Sequence, residues 1–323
     1  MKFSLDHWLS RFRSVASSGP AAIPWTHVHR GSRSGTHVVI GVMVHGNEYG
    51  TLPAAVRLIE ALERGTVRWT GPVTLFVGNP EAGLAERRYL DFDLNRAWSF
   101  QAEHRGREVE RAHQLRPLLD SADLFLDLHQ TLLESRSAFW TFPWSPIFGH
   151  WARILGTAPV GITRPSGQVF ATAGLKCIDE YVRDRGRPGF TVELGQKGFD
   201  PAQADNALRT MLTLLETQER IDLGHSTLES ESESGSPVRW FQTVHREPWG
   251  DPDRRLRPGL STWTPVRAGE DLSADASPPI LSPVDGALLF PKYPDPQNPP
   301  PAHVFHVGVP LQAHPAEVFG GAR

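Results

Sequence analysis

The sequence predicts an α/β protein: a mixed, mostly parallel sheet with helices on both faces, followed by a small β-rich C-terminal domain. Two features carry this. From Thr36 to about residue 221, strand-like and helix-like segments alternate, and several strands are apolar without interruption, as strands buried on both faces are. Beyond residue 236 the register changes: 16 of the chain's 28 prolines fall in residues 237–323, which excludes long helices and leaves short strands.

Residues 1–35 read as an N-terminal arm. "MKFSLDHWLSRFRSVASS" mixes Asp6, Arg11 and Arg13 among apolar residues, so it suits an amphipathic helix or a loose arm rather than a secretory signal. The α/β domain is expected over 36–224. "THVVIGVMVH" (36–45) is rich in β-branched residues and reads as a strand. In the next segment Leu52, Ala55, Val56, Ile59 and Leu62 recur at helical spacing. "VTLFVGNP" (73–80) is a second strand, and a charged helix comes next over roughly 101–120 with Val109, Ala112, Leu115, Leu118 and Leu119 inward. Strands are expected at 123–131, 137–144 and 189–195, and helices at 146–155 and 177–186. Asp200 and Pro201 open a last long helix that runs to about Ile221. The acidic, serine-rich stretch 225–237 reads as a linker or solvated loop, and 238–323 as the β-rich domain, with strands near 239–247, 286–291 and 303–311.

Bulk properties narrow the function. The 323 residues suffice for one large domain with a small companion. A net charge of −3 argues against a nucleic-acid binder. No apolar run approaches the roughly 20 residues of a membrane span. A single cysteine, Cys177, excludes an intrachain disulfide and a multi-cysteine zinc site, and points to a reducing compartment, the cytoplasm. Any metal therefore needs His and carboxylate ligands. Nothing in the pattern decides between a monomer and a homo-oligomer.

In open α/β sheets, ligands bind beyond the carboxyl ends of strands. Three strand ends here carry His or Glu: His45 with Glu48 in "VVIGVMVHGNEYG", His129 in "DLFLDLHQT", and Glu193 in "GFTVELG". Two imidazoles and a carboxylate form a three-ligand set with an open fourth position, the arrangement of catalytic zinc. Gly46 is read as permitting the turn that lets His45 and Glu48 converge. Glu193 is then the fourth functional group, a carboxylate able to take and return a proton. Between these lies "NPEAGLAERRYLDFDLNRAW" (79–98), whose Arg88, Asn95 and Arg96 form a polar cluster suited to a carboxylate and a scissile carbonyl. Asp93 is a candidate acceptor for the free nitrogen of a metal-bound histidine, with Asp127 a second candidate. Taken singly, each has a plainer reading as a satisfied core histidine or a solvated charge. The joint pattern favours a site.

"HGNE", "NPEAGLAERRYLDFDLNR", "DLHQT" and "VELG", in this order over roughly residues 36–220, resemble the succinylglutamate desuccinylase and aspartoacylase family. Those are zinc amidohydrolases with a carboxypeptidase-like α/β fold and a small C-terminal β domain, to which "SPVDGALLFP" (282–291) is similar. The resemblance implies one Zn2+ per chain on His45, Glu48 and His129, with Glu193 as general base and acid. It implies that Arg88 polarises the acyl carbonyl and that Asn95 and Arg96 bind the amino-acid carboxylate. A further substrate-binding arginine precedes the catalytic glutamate in aspartoacylases; Arg183 is the ungapped match, with Arg185 and Arg187 close by. Tyr293, in "FPKYP", matches a tyrosine that the C-terminal domain lends to the site.

The expected activity is zinc-dependent hydrolysis of the amide of a small N-acyl amino acid. The text after residue 225 departs from the better-known members and leaves the acyl group and the amino acid open. Two alternatives stand beside it: a carboxypeptidase-like metallopeptidase, and a non-catalytic metal-binding relative.

Overall fold

The computed structural model describes residues 3–17, 23–100, 103–165, 170, 174–275, 277–294 and 302–319. In chain order the elements are α1 (Leu5–Val15), β1 (Thr26–His29), β2 (Val38–Val42), α2 (Leu52–Glu63), β3 (Val73–Val77), α3 (Pro80–Leu84), α4 (Arg107–Asp120), β4 (Leu124–Thr131), β5 (Phe139–Pro143), α5 (Pro146–Leu155) and β6 (Val160–Arg164). They continue with α6 (Ile178–Arg183), β7 (Gly189–Gln196), α7 (Pro201–Asp222), α8 (Leu228–Glu233), β8 (Arg239–Pro248), β9 (Pro265–Val266), β10 (Gly286–Leu289), β11 (His303–Pro310) and α9 (Pro315–Phe319). Single 3-10 turns lie at Tyr49–Thr51 and Leu94–Arg96.

The strands form one sheet in the order β1-β3-β2-β4-β7-β5-β6-β8-β11-β10-β9. The pairs β2/β3, β2/β4, β4/β7, β5/β6 and β6/β8 are parallel. The pairs β1/β3, β5/β7, β8/β11, β10/β11 and β9/β10 are antiparallel. The sheet is thus evenly mixed, which corrects the expectation of a mostly parallel one. An apolar strand records that both its faces are covered, but not which way its neighbour runs.

Alternation along β4 divides the core. Leu124, Leu126 and Leu128 join the cluster formed by α1, α2, α5 and α7, while Phe125 joins the opposite cluster under α4 and α6. Asp127 and His129 share the parity of Phe125, so the second face receives the polar groups. On the first face, Leu52, Ala55, Val56, Ile59 and Leu62 of α2 are all buried, as their helical spacing requires. Burial of each large side chain there contributes about 1.5–3 kcal/mol. In α7, Asp200 accepts from Ala202 N and Pro201 occupies the first turn, so the long helix starts where its capping signals stand.

Two segments add to expectation. The arm takes the amphipathic-helix alternative rather than the loose one, with Leu9 and Phe12 of α1 buried, and it also supplies β1, which pairs with β3 at the sheet edge. The stretch 225–237 contains α8, opened by a Thr227/Ser230 capping box and anchored by Ser232, whose hydroxyl meets His150 Nδ1 at 2.7 Å. The C-terminal strands have their own core, including Trp249, Leu272, Ile280, Val304 and Phe305. Even so, β8 hydrogen-bonds to β6, and the sheet runs through the junction. No described helix is long and apolar enough to cross a membrane.

One histidine sets a pH dependence. His27 on β1 is buried, its Nδ1 accepts from Ser17 N at 3.1 Å, and its Nε2 lies 3.5 Å from Glu63 Oε1. Burial pushes its pKa down to about 4, with Glu63 opposing and His29 adding to the effect. The folded state therefore holds His27 neutral while the unfolded chain takes up a proton near its ordinary pKa of about 6.5. Stability conferred by this site is full above that pH and is lost as pH falls toward the folded value. The expected loss is about 2 kcal/mol between pH 6.5 and 5, read from denaturant midpoints. His27→Gln, which preserves an acceptor for Ser17, should flatten the curve; parallel curves for the two proteins would contradict the assignment.

Candidate metal centre

The first two ligands are positioned by the turn that leaves β2. Met43 adopts a positive φ of 56°, and its carbonyl accepts from Asn79 N at 2.9 Å. Glu48 N then closes a turn onto His45 O at 3.0 Å. Gly46 serves this turn through space rather than through an unusual φ: a Cβ there would lie 2.3 Å from Gly83 N and 2.6 Å from Arg87 O. The turn sets His45 Nδ1 2.8 Å from Glu48 Oε1.

The third comes from the neighbouring strand. β2 and β4 are parallel with Val42 opposite Leu128, so His129 stands one residue beyond the last paired position of β2. Its Nδ1 lies 2.9 Å from Glu48 Oε2, and the two imidazole centroids are 4.9 Å apart. One ligand atom from each of His45, Glu48 and His129 lies within 4.8 Å of the others, and all three residues are buried.

Each imidazole is oriented from behind by a carboxylate. His129 Nε2 donates to Asp127 Oδ2 at 2.6 Å, and His45 Nε2 lies 3.0 Å from Asp93 Oδ1. Both Nδ1 atoms face Glu48 and the shared point. His45 Nδ1 is buried 2.8 Å from Glu48 Oε1 and makes no well-aligned hydrogen bond, which suits a ligand atom. Two imidazoles and a carboxylate with their rear hydrogen bonds made fit a divalent cation such as zinc.

The electrostatics agree. Burial alone would raise the Glu48 and Asp93 carboxyls. For Glu48, His45, His129 and Arg88 outweigh it, and for Asp93 chiefly His45 and Arg88, so both stay well below the ordinary range. Burial opposes charge on His129, yet Asp127 and Glu48 hold its pKa well above the usual value. Asp127 is shifted up by burial, with His129 pulling the other way. A dense set of carboxylates around two imidazoles favours a cation at their centre.

Glu193 sits opposite His129 in the β4/β7 register. Its Oε2 is buried without a partner, and burial pushes the carboxyl up to about 7, opposed by His129 and aided by Glu48. Arg88 Nη1 donates to Glu48 Oε1 at 2.7 Å, and its Nη2 lies 2.8 Å from His45 Nε2. Asp93 also opens the 3-10 turn Leu94–Arg96 by accepting from Asn95 N. Asn95 Oδ1 accepts from Ile178 N at 2.9 Å, which fixes the start of α6 beside the site. Arg96 Nη1 donates to Asn95 O at 2.8 Å and to Cys177 Sγ at 3.0 Å, and its guanidinium lies over the Phe170 ring.

Two expected residues are not brought into this group. Arg183 Nη1 donates to Asp179 Oδ2 at 2.5 Å and to Gly189 O at 2.6 Å, at the start of β7 and four residues before Glu193. At the usual rise that is about 13 Å along the strand. Arg185 and Arg187 pair with Asp120 and Asp123. Tyr293 donates its hydroxyl to Arg257 O at 2.6 Å and packs against the C-terminal core. Its neighbour Lys292, with no motif to mark it, is the residue that interacts with Arg88, Arg96 and Asp93.

Comparison with known proteins agrees with this architecture. The family model described as succinylglutamate desuccinylase/aspartoacylase catalytic domain matches residues 34–218. A succinylglutamate desuccinylase of Pseudomonas aeruginosa is 30% identical over 121 residues, 35% of this chain and 36% of that protein. An N-acyl-aromatic-L-amino acid amidohydrolase (carboxylate-forming) A of Danio rerio is 35% identical over 108 residues, 28% of this chain and 33% of that one. The matched stretches thus span about a third of the length of these relatives. In fold, the chain is similar to the succinylglutamate desuccinylase of Vibrio cholerae, with a TM-score of 0.68 at 15% identity over 93% of this chain and 94% of that one. It is also similar to murine aminoacylase 3, with a TM-score of 0.62 at 19% identity over 86% and 96%. With residues 34–218, more than half of its length, matched by the family model and the fold shared with solved members, the chain belongs to the succinylglutamate desuccinylase/aspartoacylase family.

Proposed function

We propose that the protein hydrolyses the amide bond of small N-acyl amino acids, with a zinc ion held by His45, Glu48 and His129. The observation that carries this reading is the convergence of those three ligand atoms beside a buried, unpartnered Glu193 oxygen. When bound, the cation supplies Lewis acidity and makes water more acidic. The chain's own groups do the rest. Glu193, poised near neutrality, takes a proton from the attacking water on Oε2 and returns it to the departing amine nitrogen. Arg88 donates to the acyl oxygen as negative charge gathers there. Arg96 and the amide of Asn95 hold the substrate carboxylate and fix the scissile bond in line with the water. Cys177 is buried against Arg96, in keeping with a reducing cytoplasm.

A panel of N-acyl amino acids and unblocked dipeptides, scored for free amine with and without chelator, tests the assignment. Chelator-sensitive release from acylated substrates alone is expected. Preferential cleavage of unblocked dipeptides would turn the reading to a peptidase, and release unaffected by chelator would remove the metal from it.

A further inference from the structure

The loop that carries Arg88 and Asp93 is gripped from behind by a carboxylate on α4. Glu108, in the first turn of that helix, is buried. Its Oε1 accepts from Leu90 N at 2.6 Å and from Asn79 Nδ2 at 3.0 Å. Its Oε2 accepts from Asp91 N at 3.0 Å and from Phe92 N at 3.1 Å. These donors use the roughly four acceptor sites that a carboxylate has. Three successive backbone N–H groups thus converge on one anion, a concave arrangement suited to negative charge.

The latch closes in both directions. Gly106 precedes α4 and has no side chain to cap it, and Asp91 Oδ2 accepts from Arg107 N at 2.9 Å instead. The loop therefore caps the helix while the helix holds the loop. Asn79 carries the grip to the exit of β2, where its N donates to Met43 O at 2.9 Å, two residues before His45. On one side of the clamped residues, Arg88 O accepts from Gly46 N at 2.9 Å and Arg88 Nη1 donates to Glu48 Oε1 at 2.7 Å. On the other, Asp93 Oδ1 lies 3.0 Å from His45 Nε2. Leu90 stands two residues after Arg88 and Phe92 one before Asp93, so one fixed stretch of backbone aims both side chains.

A purely structural role would make Glu108 a stabiliser of α4 and nothing more. Its bonds argue for a second duty, because most of them go to the loop rather than to its own helix. We propose that Glu108 is a positioning residue for the hydrolysis. It holds Leu90–Phe92 so that Arg88 meets the acyl oxygen and Asp93 keeps the His45 ring turned toward the cation. This inference rests on the proposed function for the part of Arg88. A charged acceptor suits the task, since hydrogen bonds to an ionised group are shorter and stronger than neutral ones.

Glu108→Gln tests this in the full chain, because it keeps the length and puts an NH2 group where an oxygen faced N–H donors. Amide hydrogen exchange at residues 90–92 of the metal-free protein should speed up about 10–100-fold, the range for a hydrogen bond to a charged group. Amides of α7 should keep their protection. Zinc affinity, read by competition with a chelator, should fall about 10–100-fold, as it does when a group that orients a ligand is lost. On an N-acyl amino acid, kcat of the zinc-loaded variant should fall by a similar factor with KM little changed. Glu108→Asp, which keeps the charge, should restore part of both. Faster exchange throughout the chain, or faster exchange at 90–92 with zinc affinity and kcat unchanged, would overturn the positioning role and leave the deacylase reading intact. If Glu108→Gln does not fold, Asp91→Ala opens the latch from its exposed side and should lower zinc affinity and kcat in the same direction. An Asp91→Ala enzyme with both unchanged would then overturn the role. A wild type that releases no amine from any N-acyl amino acid would overturn the deacylase reading, and this inference with it.

Discussion

Glu193→Gln is expected to lose about 10²–10⁴-fold in kcat while the protein keeps its zinc, because general acid–base catalysis contributes on that scale. The substitution keeps the shape of the side chain and removes its basicity. Glu193 lies across the β4/β7 register from His129 and makes no hydrogen bond to a ligand residue, so the ligand set stays whole. KM should move little, since Arg96 and Asn95 are untouched. Kinetics beside metal analysis reads both halves of the expectation. Near-native turnover in the variant would remove Glu193 from the proton path.

His129→Ala is expected to lose both metal and activity. The change takes one of three ligands and leaves two buried carboxylates, Asp127 and Glu48, without the imidazole they share at 2.6 and 2.9 Å. A buried ion pair broken from one side costs about 3–5 kcal/mol. A lower thermal midpoint should therefore accompany zinc lost on dialysis and turnover below detection. Retention of bound zinc by this variant would place the cation elsewhere.

The contrast between these two variants also shows what could be read from the chain. The candidate cluster was legible because His45, His129 and Glu193 each follow a mainly apolar strand, and a parallel β2/β4/β7 arrangement brings such ends together. Asp93 and Asp127 were both visible as carboxylates near histidines, and each orients one imidazole. The reason offered for Gly46 was incomplete, since close approach of α3 is invisible in a tetrapeptide.

The features that stayed hidden depend on distant pairing. β1 and β6 are short, and pairing with β3, β5 and β8 is what holds them as strands. Direction is equally remote: β5 lies antiparallel to β7, and nothing in "FWTFP" encodes that. The acidic, serine-rich stretch before β8 looked like a solvated loop because its composition outweighed the short Thr227/Ser230 capping signal. Arg183 aligned by count with a substrate arginine but is held by Asp179 and Gly189, because α6 and the turn after it set its position. Lys292 is adjacent to the residue that drew attention, and only the path of the chain after β10 turns it toward the site.

The central claim is that residues 45, 48 and 129 hold one divalent cation. Its most direct test is elemental analysis of the wild type, Glu193→Gln and His129→Ala after loading with zinc and exhaustive dialysis. One zinc per chain in the first two and none in the third is expected; a wild type that retains no zinc, or a His129→Ala protein that retains as much as the wild type, would contradict it.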